Sequence, residues 1–296
     1  MTLVDNQTRV GLQNILFATD FSGPSEQALP YALSIARHYD SRVFVLHVMR
    51  PDLFAMVPPE NSSALLDQAR VHAESEMANL LISGRLRDVP HQVLLTQGDL
   101  WAVIDEVLQL HQIDMIVVGT HGRTGARKLL MGSSAEEIFR LATCPVLTVG
   151  PRVTSAPPSE AHLKRILYAT DFTLHSEGAA AYAVSLAQEH GAHLTLLHVI
   201  KDPDHVSDTN NAMLQDFFRR RLRYLVPEGA DAWCDPDLVV EFGTPAEMIL
   251  KTAGERRADL IVLGIRRSAT FAGHLPPATA YKVVCQSHCP VLTVRG

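Results

Sequence analysis

The nine residues NILFATDFS, at positions 14–22, return in the second half of the chain as RILYATDFT, at positions 165–173. Each copy is a short apolar run that ends in Ala-Thr-Asp, a pattern typical of a buried strand followed by a polar loop. Three more blocks recur in the same order: SRVFVLHVMRP as AHLTLLHVIKD, IDMIVVGT as ADLIVLGI, and TCPVLTV as HCPVLTV. The chain is therefore a duplication of one structural unit.

The spacing of the two copies shows one length change between them. Asp20 and Asp171 are 151 residues apart, whereas Gly119 and Gly264 are 145 apart, so the first copy has a net six extra residues between these blocks. The Pro- and Ser-containing stretch 151–161 has the composition of a linker. We predict three segments: a first domain at residues 1–152, a linker at 153–161 and a second domain at 162–296.

Within each copy, short β-branched runs alternate with stretches whose apolar residues recur about every 3.6 positions. This alternation predicts an α/β fold in which two tandem, open, five-stranded parallel sheets of the Rossmann-like kind are covered by helices on both faces. The first copy is predicted to have five buried strands: Ile15–Phe17, Val43–Val48, Val93–Leu95, Met115–Val118 and Val146–Val149. Its predicted helices are Ser25–His38, Ser63–Ile82, Leu100–His111 and Ser133–Leu141.

Composition excludes several classes of protein. A formal net charge of −6 and a pI near 6.1 argue against a nucleic-acid-binding surface, which needs clustered excess Lys and Arg. No apolar run approaches the roughly 20 residues of a membrane span, and the amino-terminal stretch lacks the pattern of a signal peptide. Four cysteines are too few for a disulfide scaffold. We therefore expect a cytoplasmic protein with no membrane and no nucleic-acid partner.

The segment GTHGRTGARKLLMGSS, at positions 119–134, has the glycine spacing of a loop that folds around a ligand. Gly119 and Gly122 permit positive φ and close backbone approach. Ser133 and Ser134 are each followed three positions later by a glutamate, so either serine could cap the helix that follows and leave an anion site at its start. The segment matches neither of the two standard phosphate-loop patterns, G-x-x-x-x-G-K-[ST] and G-x-G-x-x-G. Glycines after a strand often do no more than form a turn, so the glycines alone do not establish a ligand site.

Residues from three strand ends should meet at one edge of the first sheet. Asp20 follows the first strand, Val48 ends the second, and Gly119 follows the fourth. Ligands of open parallel sheets lie outside the carboxyl ends of the strands, where strand order reverses. An aspartate there can accept hydrogen bonds from ribose hydroxyls, and Arg123 would add positive charge close to phosphates. The sequence thus predicts a nucleotide site in the first copy.

The motif Gly119-x2-Gly122-x9-Gly132-Ser133, preceded by the Ala-Thr-Asp loop and followed by CPVLTV, resembles that of the universal stress protein family. The resemblance covers both halves of the chain. It implies an adenine nucleotide α-hydrolase-like fold that binds ATP, or in some members AMP. Carried over by position, it places the loop residues Ala18, Thr19 and Asp20 near the ribose or adenine and the backbone of Val48 at the adenine edge. Around the ribose and phosphates it places Val118, Gly119, His121, Gly122, Gly132, Ser133 and Ser134.

The second copy departs from this motif. Gly264 matches its first glycine, but the other two glycines and the serine are replaced by Arg267, Pro277 and Ala278. Arginine fits a positive-φ turn poorly, proline has no N–H to offer a phosphate, and alanine has no hydroxyl. We therefore expect that the second domain does not bind ATP as the first does. Asp171 persists, which leaves an adenosine-like fragment open.

Other features have simpler interpretations. Cys285 and Cys289, with His288 between them, could be half of a zinc site but are better read as small core residues, so no metal site is predicted. His47 and His198, at corresponding strand ends, are interpreted as structural histidines. The four arginines within 217–225 are read as a solvated helix face.

The function that these features predict is a nucleotide-binding protein of the stress response or its regulation. It would bind ATP or AMP, with Mg²⁺ as a possible companion, and hydrolyse ATP slowly at most, because no nucleophile–base motif is present. An ATP-using enzyme of related fold is one alternative, but its SGGxDS-type loop is missing after the first strand. An interaction module with incidental nucleotide is another. The resemblance also implies homodimers through the PVLTV strand, in addition to pairing of the two copies within the chain; the downstream partner is not identified.

Overall fold

A computed structural model describes residues 10–54, 58–120, 131–153, 163–201, 208–227, 234–265 and 278–296. These residues form two compact units. One spans Gly11–Val146, and the other consists mainly of Leu147–Gly296. The domain ends predicted at 152 and 162 stay a prediction, and the predicted linker, apart from Val153, lies outside the described residues.

The first unit is a parallel α/β structure with strand order β3-β2-β1-β4. Its strands are β1 (Asn14–Ala18), β2 (Arg42–Met49), β3 (His91–Gln97) and β4 (Met115–Gly119). Its helices are α1 (Gly23–Tyr39), α2 (Pro59–Ile82), α3 (Leu100–Leu110) and α4 (Ser133–Leu141), and a short 3₁₀ helix (Pro51–Phe54) follows β2.

The second unit repeats this order of strands and helices. Its sheet has the order β5-β10-β9-β6-β7-β8, in which β6, β7, β8, β9 and β10 pair in parallel. The strands are β5 (Val146–Val149), β6 (Arg165–Thr170), β7 (His193–Ile200), β8 (Asp237–Phe242), β9 (Leu260–Ile265) and β10 (Val291–Arg295). The helices are α5 (Leu174–His190), α6 (Asp208–Arg223), α7 (Pro245–Glu255) and α8 (Ala278–Gln286).

The predicted α/β class, with parallel strands and covering helices, is confirmed, and every strand and helix predicted for the first copy is present. The prediction of five strands in each sheet was wrong: among the described residues, β5 belongs with the second unit, which has six strands, and the first unit has four. Helix α2 begins four residues earlier than predicted, at Pro59, since proline is compatible with the first turn of a helix. The expectation that the third strand is buried was wrong. The side chains of β3 are only partly covered or exposed, because β3 lies at the edge of the sheet.

Consecutive buried residues in the central strands explain why the sheets are covered on both faces. Ile15, Leu16 and Phe17 in β1 are all fully buried, as are Ile116 and Val117 in β4. Successive strand residues point to opposite faces, so an unbroken buried run requires packing on both sides. The helices provide that packing, and polar chemistry is left to the loops at the strand ends. Across the described ranges, no helix is both long enough and apolar enough to cross a membrane.

Candidate functional site

A cavity of about 320 Å³ lies at the carboxyl ends of β1, β2 and β4 in the first unit. Nine of the twelve residues predicted for the nucleotide site line it: Ala18, Thr19, Asp20, Val48, Val118, Gly119, Gly132, Ser133 and Ser134. The other three, His121, Gly122 and Arg123, lie outside the described residues. The structure thus brings together residues that are up to 116 positions apart in the sequence (18 to 134).

The loop after β1 holds Asp20 at the cavity by a tight set of hydrogen bonds. The Thr19 hydroxyl accepts from the backbone N–H of Phe21 at 3.0 Å, and the Asp20 carboxylate accepts from the N–H of Ser22 at 3.0 Å. The Ser25 hydroxyl donates to that of Thr19 at 2.7 Å. Phe21 has a φ of 57°, a left-handed conformation that is unfavourable for a bulky side chain. These bonds therefore maintain a strained turn that orients Asp20.

Of the two properties predicted for Gly119, positive φ and close backbone approach, the structure shows only the second. Gly119 was expected to allow positive φ beside a ligand, but it is not among the described glycines with positive φ. A Cβ at this position would lie 2.5 Å from the carbonyl oxygen of Pro24 and 3.0 Å from the Cα of Ser25. Glycine is therefore required because the start of α1 packs directly on the end of β4. This contact places the start of α1, and the Asp20 loop that precedes it, beside the end of β4.

The described ends of the glycine loop are joined at their base. The backbone N–H of Gly132 donates to the carbonyl of Thr120 at 2.6 Å. The prediction that Ser133 or Ser134 caps the next helix was wrong: the N-cap of α4 is Gly132, and no side chain caps it. Both serines lie exposed in the first turn, because the S-x-x-E pattern does not reveal whether a serine precedes the helix or begins it. The N–H groups of this turn have no side-chain cap, which suits an anion.

Apolar residues from two helices form the wall that sequence reasoning missed. Ala69 and Ala73 from α2 and Leu100 and Ile104 from α3 line the cavity. Ala73 and Ile104 are almost fully buried, so this side of the cavity is apolar. No local motif marks these residues, because their position depends on how the helices pack. A wall of this kind suits a planar ring.

Arg50 is another lining residue that the sequence did not single out. Its side chain is only 20% exposed and pairs with Asp52 at 2.8 Å and Glu137 at 3.7 Å. Burial raises the pKa of Glu137, although the charge of Arg50 acts in the opposite direction. The sequence did contain an indication that Arg50 lies at the cavity, because Arg50 directly follows β2, two positions after Val48. Its guanidinium adds a cation to the cavity.

Each of the two strand-end histidines uses one ring nitrogen to bond the backbone. This confirms their interpretation as structural histidines. His47 Nδ1 lies 2.8 Å from the Thr19 carbonyl, and His198 Nδ1 lies 2.9 Å from that of Thr170. Since a backbone carbonyl only accepts, each ring donates from Nδ1. Each histidine thereby ties the second strand of its unit to the loop that bears the aspartate.

The second unit keeps this loop and the backbone hydrogen bond to its aspartate. Phe172 again has a φ of 57°, and Asp171 again accepts from the N–H of Thr173 at 3.0 Å. The Thr173 hydroxyl also donates to Asp171, at 2.7 Å. It does not cap α5, whereas the Ser22 hydroxyl caps α1 by accepting from the Ser25 N–H. Burial acts to raise the pKa of Asp171, but the hydrogen bonds from Thr173 outweigh it and lower the pKa. The carboxylate of the second unit is therefore engaged within its own loop.

The altered glycine loop of the second copy can be described only at its ends. Gly264 lies in β9, and Ala278 is the exposed first residue of α8. Arg267 and Pro277 lie outside the described residues, so the loss of phosphate binding there stays a prediction.

The interpretation of Cys285 and Cys289 as core residues is confirmed. Both are buried, at 1% and 4% exposure, and neither forms a disulfide. Burial raises the pKa of Cys289 to about 11, and a protonated thiol is a poor metal ligand. Among the residues that the structure describes, no group of three or more His, Cys, Asp or Glu side chains could hold a metal ion.

Burial and the positive charge of Arg221 lower the pKa of His198, although its bond to Thr170 acts to raise it. The folded state therefore favours the neutral ring. As the pH falls below about 6.5, the unfolded chain takes up the proton first, so the free energy of unfolding should decrease as the pH falls through this range.

We expect an NMR titration to give His198 a pKa below 6.5 and Arg221→Ala to raise it. Arg220→Ala is the matched control, because Arg220 pairs with Asp216 at 2.6 Å instead. Equal effects of the two substitutions would contradict the assignment of the shift to Arg221.

Comparison with known proteins gives the same result for both halves of the chain. The model of the universal stress protein family matches residues 11–150 and 162–295. A universal stress protein from Mycolicibacterium smegmatis is 24% identical over 304 residues, covering 99% of each chain. A shorter one from Thermus aquaticus, described by its location in the QAH/OAS sulfhydrylase 3′ region, is 35% identical over 138 residues, or 45% of this chain and 98% of that one.

A solved structure shows the same fold over nearly the full length. The universal stress protein from Archaeoglobus fulgidus superposes with a TM-score of 0.68 at 20% sequence identity, covering 95% of this chain and 98% of that one. Two family matches, one to each copy, account for the internal duplication. The chain belongs to the universal stress protein family, as a tandem of two of its domains.

Proposed function

We propose that the first unit binds an adenine nucleotide, ATP or AMP, and that the protein acts in the stress response or its regulation. The observation that supports this most is the 320 Å³ cavity, which nine residues of the predicted nucleotide site line together. The proposal assigns the second unit a mainly structural or regulatory role.

The lining of the cavity matches the parts of such a ligand. The alanine and leucine side chains of α2 and α3 offer an apolar wall to the adenine ring. Asp20 offers carboxylate oxygens to the ribose hydroxyls. The first turn of α4 and the guanidinium of Arg50 offer donors to phosphates. Mg²⁺ would enter with the nucleotide, since this ion usually binds proteins through substrate phosphates and one or two carboxylates.

Binding rather than turnover is the activity that this set of residues supports. In a sensor of this kind, nucleotide contacts to Asp20 and to the 119–134 loop would favour one state of the loop. Only a difference in affinity between two states can shift their populations. We expect ATP hydrolysis to be slow at most.

The direct test is mass spectrometry of small molecules released from the purified full-length protein, followed by calorimetric titration with ATP, AMP and GTP. We expect a released adenine nucleotide, or one ATP or AMP bound per chain, and much weaker binding of GTP. A folded protein that releases no nucleotide and binds none of the three would refute the proposal.

The alternative of an interaction module rests on the Pro-initiated PVLTV strands. In the second compact unit, β5 lies beside β10, and the Thr148 hydroxyl donates to the Val291 carbonyl at 3.0 Å. We propose that strands of this type also support a homodimer. Ultracentrifugation with and without ATP separates the two functions, because a pure interaction module would assemble identically in both conditions.

A further inference from the structure

The aromatic rim of the crevice is nearly the same in the two units. The ring centroids of Phe172 and His198 are 4.7 Å apart, and those of Phe21 and His47 are 4.8 Å apart. In both units the histidine is tied to the threonine carbonyl of the aspartate loop. Each unit therefore presents a comparable aromatic surface at the carboxyl ends of its central strands.

The helices that face these rims can be aligned through the glycine after the third strand. The N–H of Gly98 donates to the Met49 carbonyl at 3.0 Å, and the N–H of Gly243 donates to the Ile200 carbonyl at 2.9 Å. Met49 and Ile200 are the last residues of β2 and β7, so the two glycines are equivalent positions.

Ala73 of α2 lies 25 residues before Gly98, and Phe218 of α6 lies 25 residues before Gly243, so the two are equivalent positions. Four residues further on, Met77 and Leu222 are both buried, which supports the same rotation of the two helices. Ala73 lines the cavity of the first unit. Its counterpart in the second unit is therefore a phenylalanine.

Phe218 lies against the rim of the second unit. Its ring centroid is 4.3 Å from that of His198, and its ring stacks on Phe172 at 5.7 Å with an interplanar angle of 16°. The guanidinium carbon of Arg221 lies 4.1 Å over the Phe172 ring, a cation–π distance. One helix turn thus covers the aromatic rim with two flat groups.

We propose that the second unit contains a planar-ligand site that is occupied by its own α6, with Phe218 in the space that Ala73 leaves open in the first unit. The second site therefore differs from the first in two ways: the Phe218 side chain fills it, and the sequence of its glycine loop is altered. When Phe218 is removed, the site takes an uncharged, planar heteroaromatic group, the base of a nucleoside.

Two features favour a nucleoside without phosphates. The rim retains an aromatic face on which a base can stack. Ala278 takes the place of Ser133 and has no hydroxyl for a phosphate. The choice of adenosine as the probe rests on the function proposed for the first unit, but the presence of Phe218 on the rim does not.

The experiment uses the full-length chain and calorimetric titration with adenosine. The substitution Ala73→Phe is intended to fill the cavity of the first unit. Phe218→Ala, made in that background, is intended to open the proposed site of the second unit. We expect the double variant to bind one adenosine per chain, about tenfold or more tighter than Ala73→Phe alone. Met213→Ala in the same background is the control, because Met213 lies on α6 but is 68% exposed. A folded double variant with no gain over this control would overturn the proposal.

A second measurement requires no substitution. In the wild-type protein with its histidines and phenylalanines labelled, nuclear Overhauser contacts should join the ring protons of His198 and Phe218. Their absence would show that Phe218 does not occupy the rim, even if the alanine variant failed to fold. Failure of the wild type to bind nucleotide would refute the proposed function of the first unit and leave this result unaffected.

Discussion

Replacing Ala73 by phenylalanine should abolish nucleotide binding by the first unit. Ala73 is 2% exposed and lines the cavity, so a benzyl group there would occupy the space proposed for the adenine ring. We expect the affinity for ATP to fall by about 100-fold or more, which corresponds to roughly 2.7 kcal/mol. The substitution copies the arrangement that Phe218 has in the second unit, so the fold should accommodate it.

Calorimetric titration with ATP checks this result, and circular dichroism checks that the variant is folded. Ala78→Phe is the matched control, because Ala78 lies on the same helix but is exposed. Binding that survives Ala73→Phe would show that the ligand does not use the α2 wall. Equal losses in both variants would point to a general effect on the helix.

Replacing Gly119 by alanine should cause a large loss of stability. The new Cβ would lie 2.5 Å from the Pro24 carbonyl oxygen and 2.8 Å from its carbon, and these are backbone atoms that cannot rotate away. Overpacking of this kind costs about 1–3 kcal/mol, and sometimes more, of the free energy of unfolding. Because the shift would separate the Asp20 loop from β4, nucleotide binding should fall as well.

Urea denaturation followed by circular dichroism measures this loss. Gly23→Ala is the control, since a Cβ at Gly23 would meet nothing within 4 Å although the residue is next to Pro24. If Gly119→Ala were as stable as the wild type, the contact with α1 would not be the reason for this glycine.

The arrangement of strands and helices was predictable because it depends on local periodicity. The apolar runs at Ile15–Phe17 and Met115–Val118 gave the central strands, and the duplication supplied the same elements twice. The error at β3 has a related cause. The side chains of Val93–Leu95 are apolar, but their burial depends on a neighbouring strand that the sheet edge does not provide.

The candidate site was predictable only where a residue lies on a strand end or in a loop with a motif. Asp20 and Gly132 were identified from sequence in this way. Ala73 and Phe218 were not, because nothing in the sequence shows which side of a helix faces the crevice. Arg221 was read with its neighbours as part of a solvated face, whereas its guanidinium stacks on Phe172. Contacts of this kind depend on tertiary packing, which has no local signal.

The left-handed phenylalanine is retained in both copies, at Phe21 and at Phe172, although only the first copy keeps the glycine motif. The aspartate turn is therefore an autonomous part of the fold, held by its own threonine and serine. In a duplicated site of this design, the two parts can change independently. The turn contributes to folding and is retained, whereas the glycine loop can change without loss of the fold. Restoring the glycine motif in the second copy would return only part of a site, since Phe218 would still fill it.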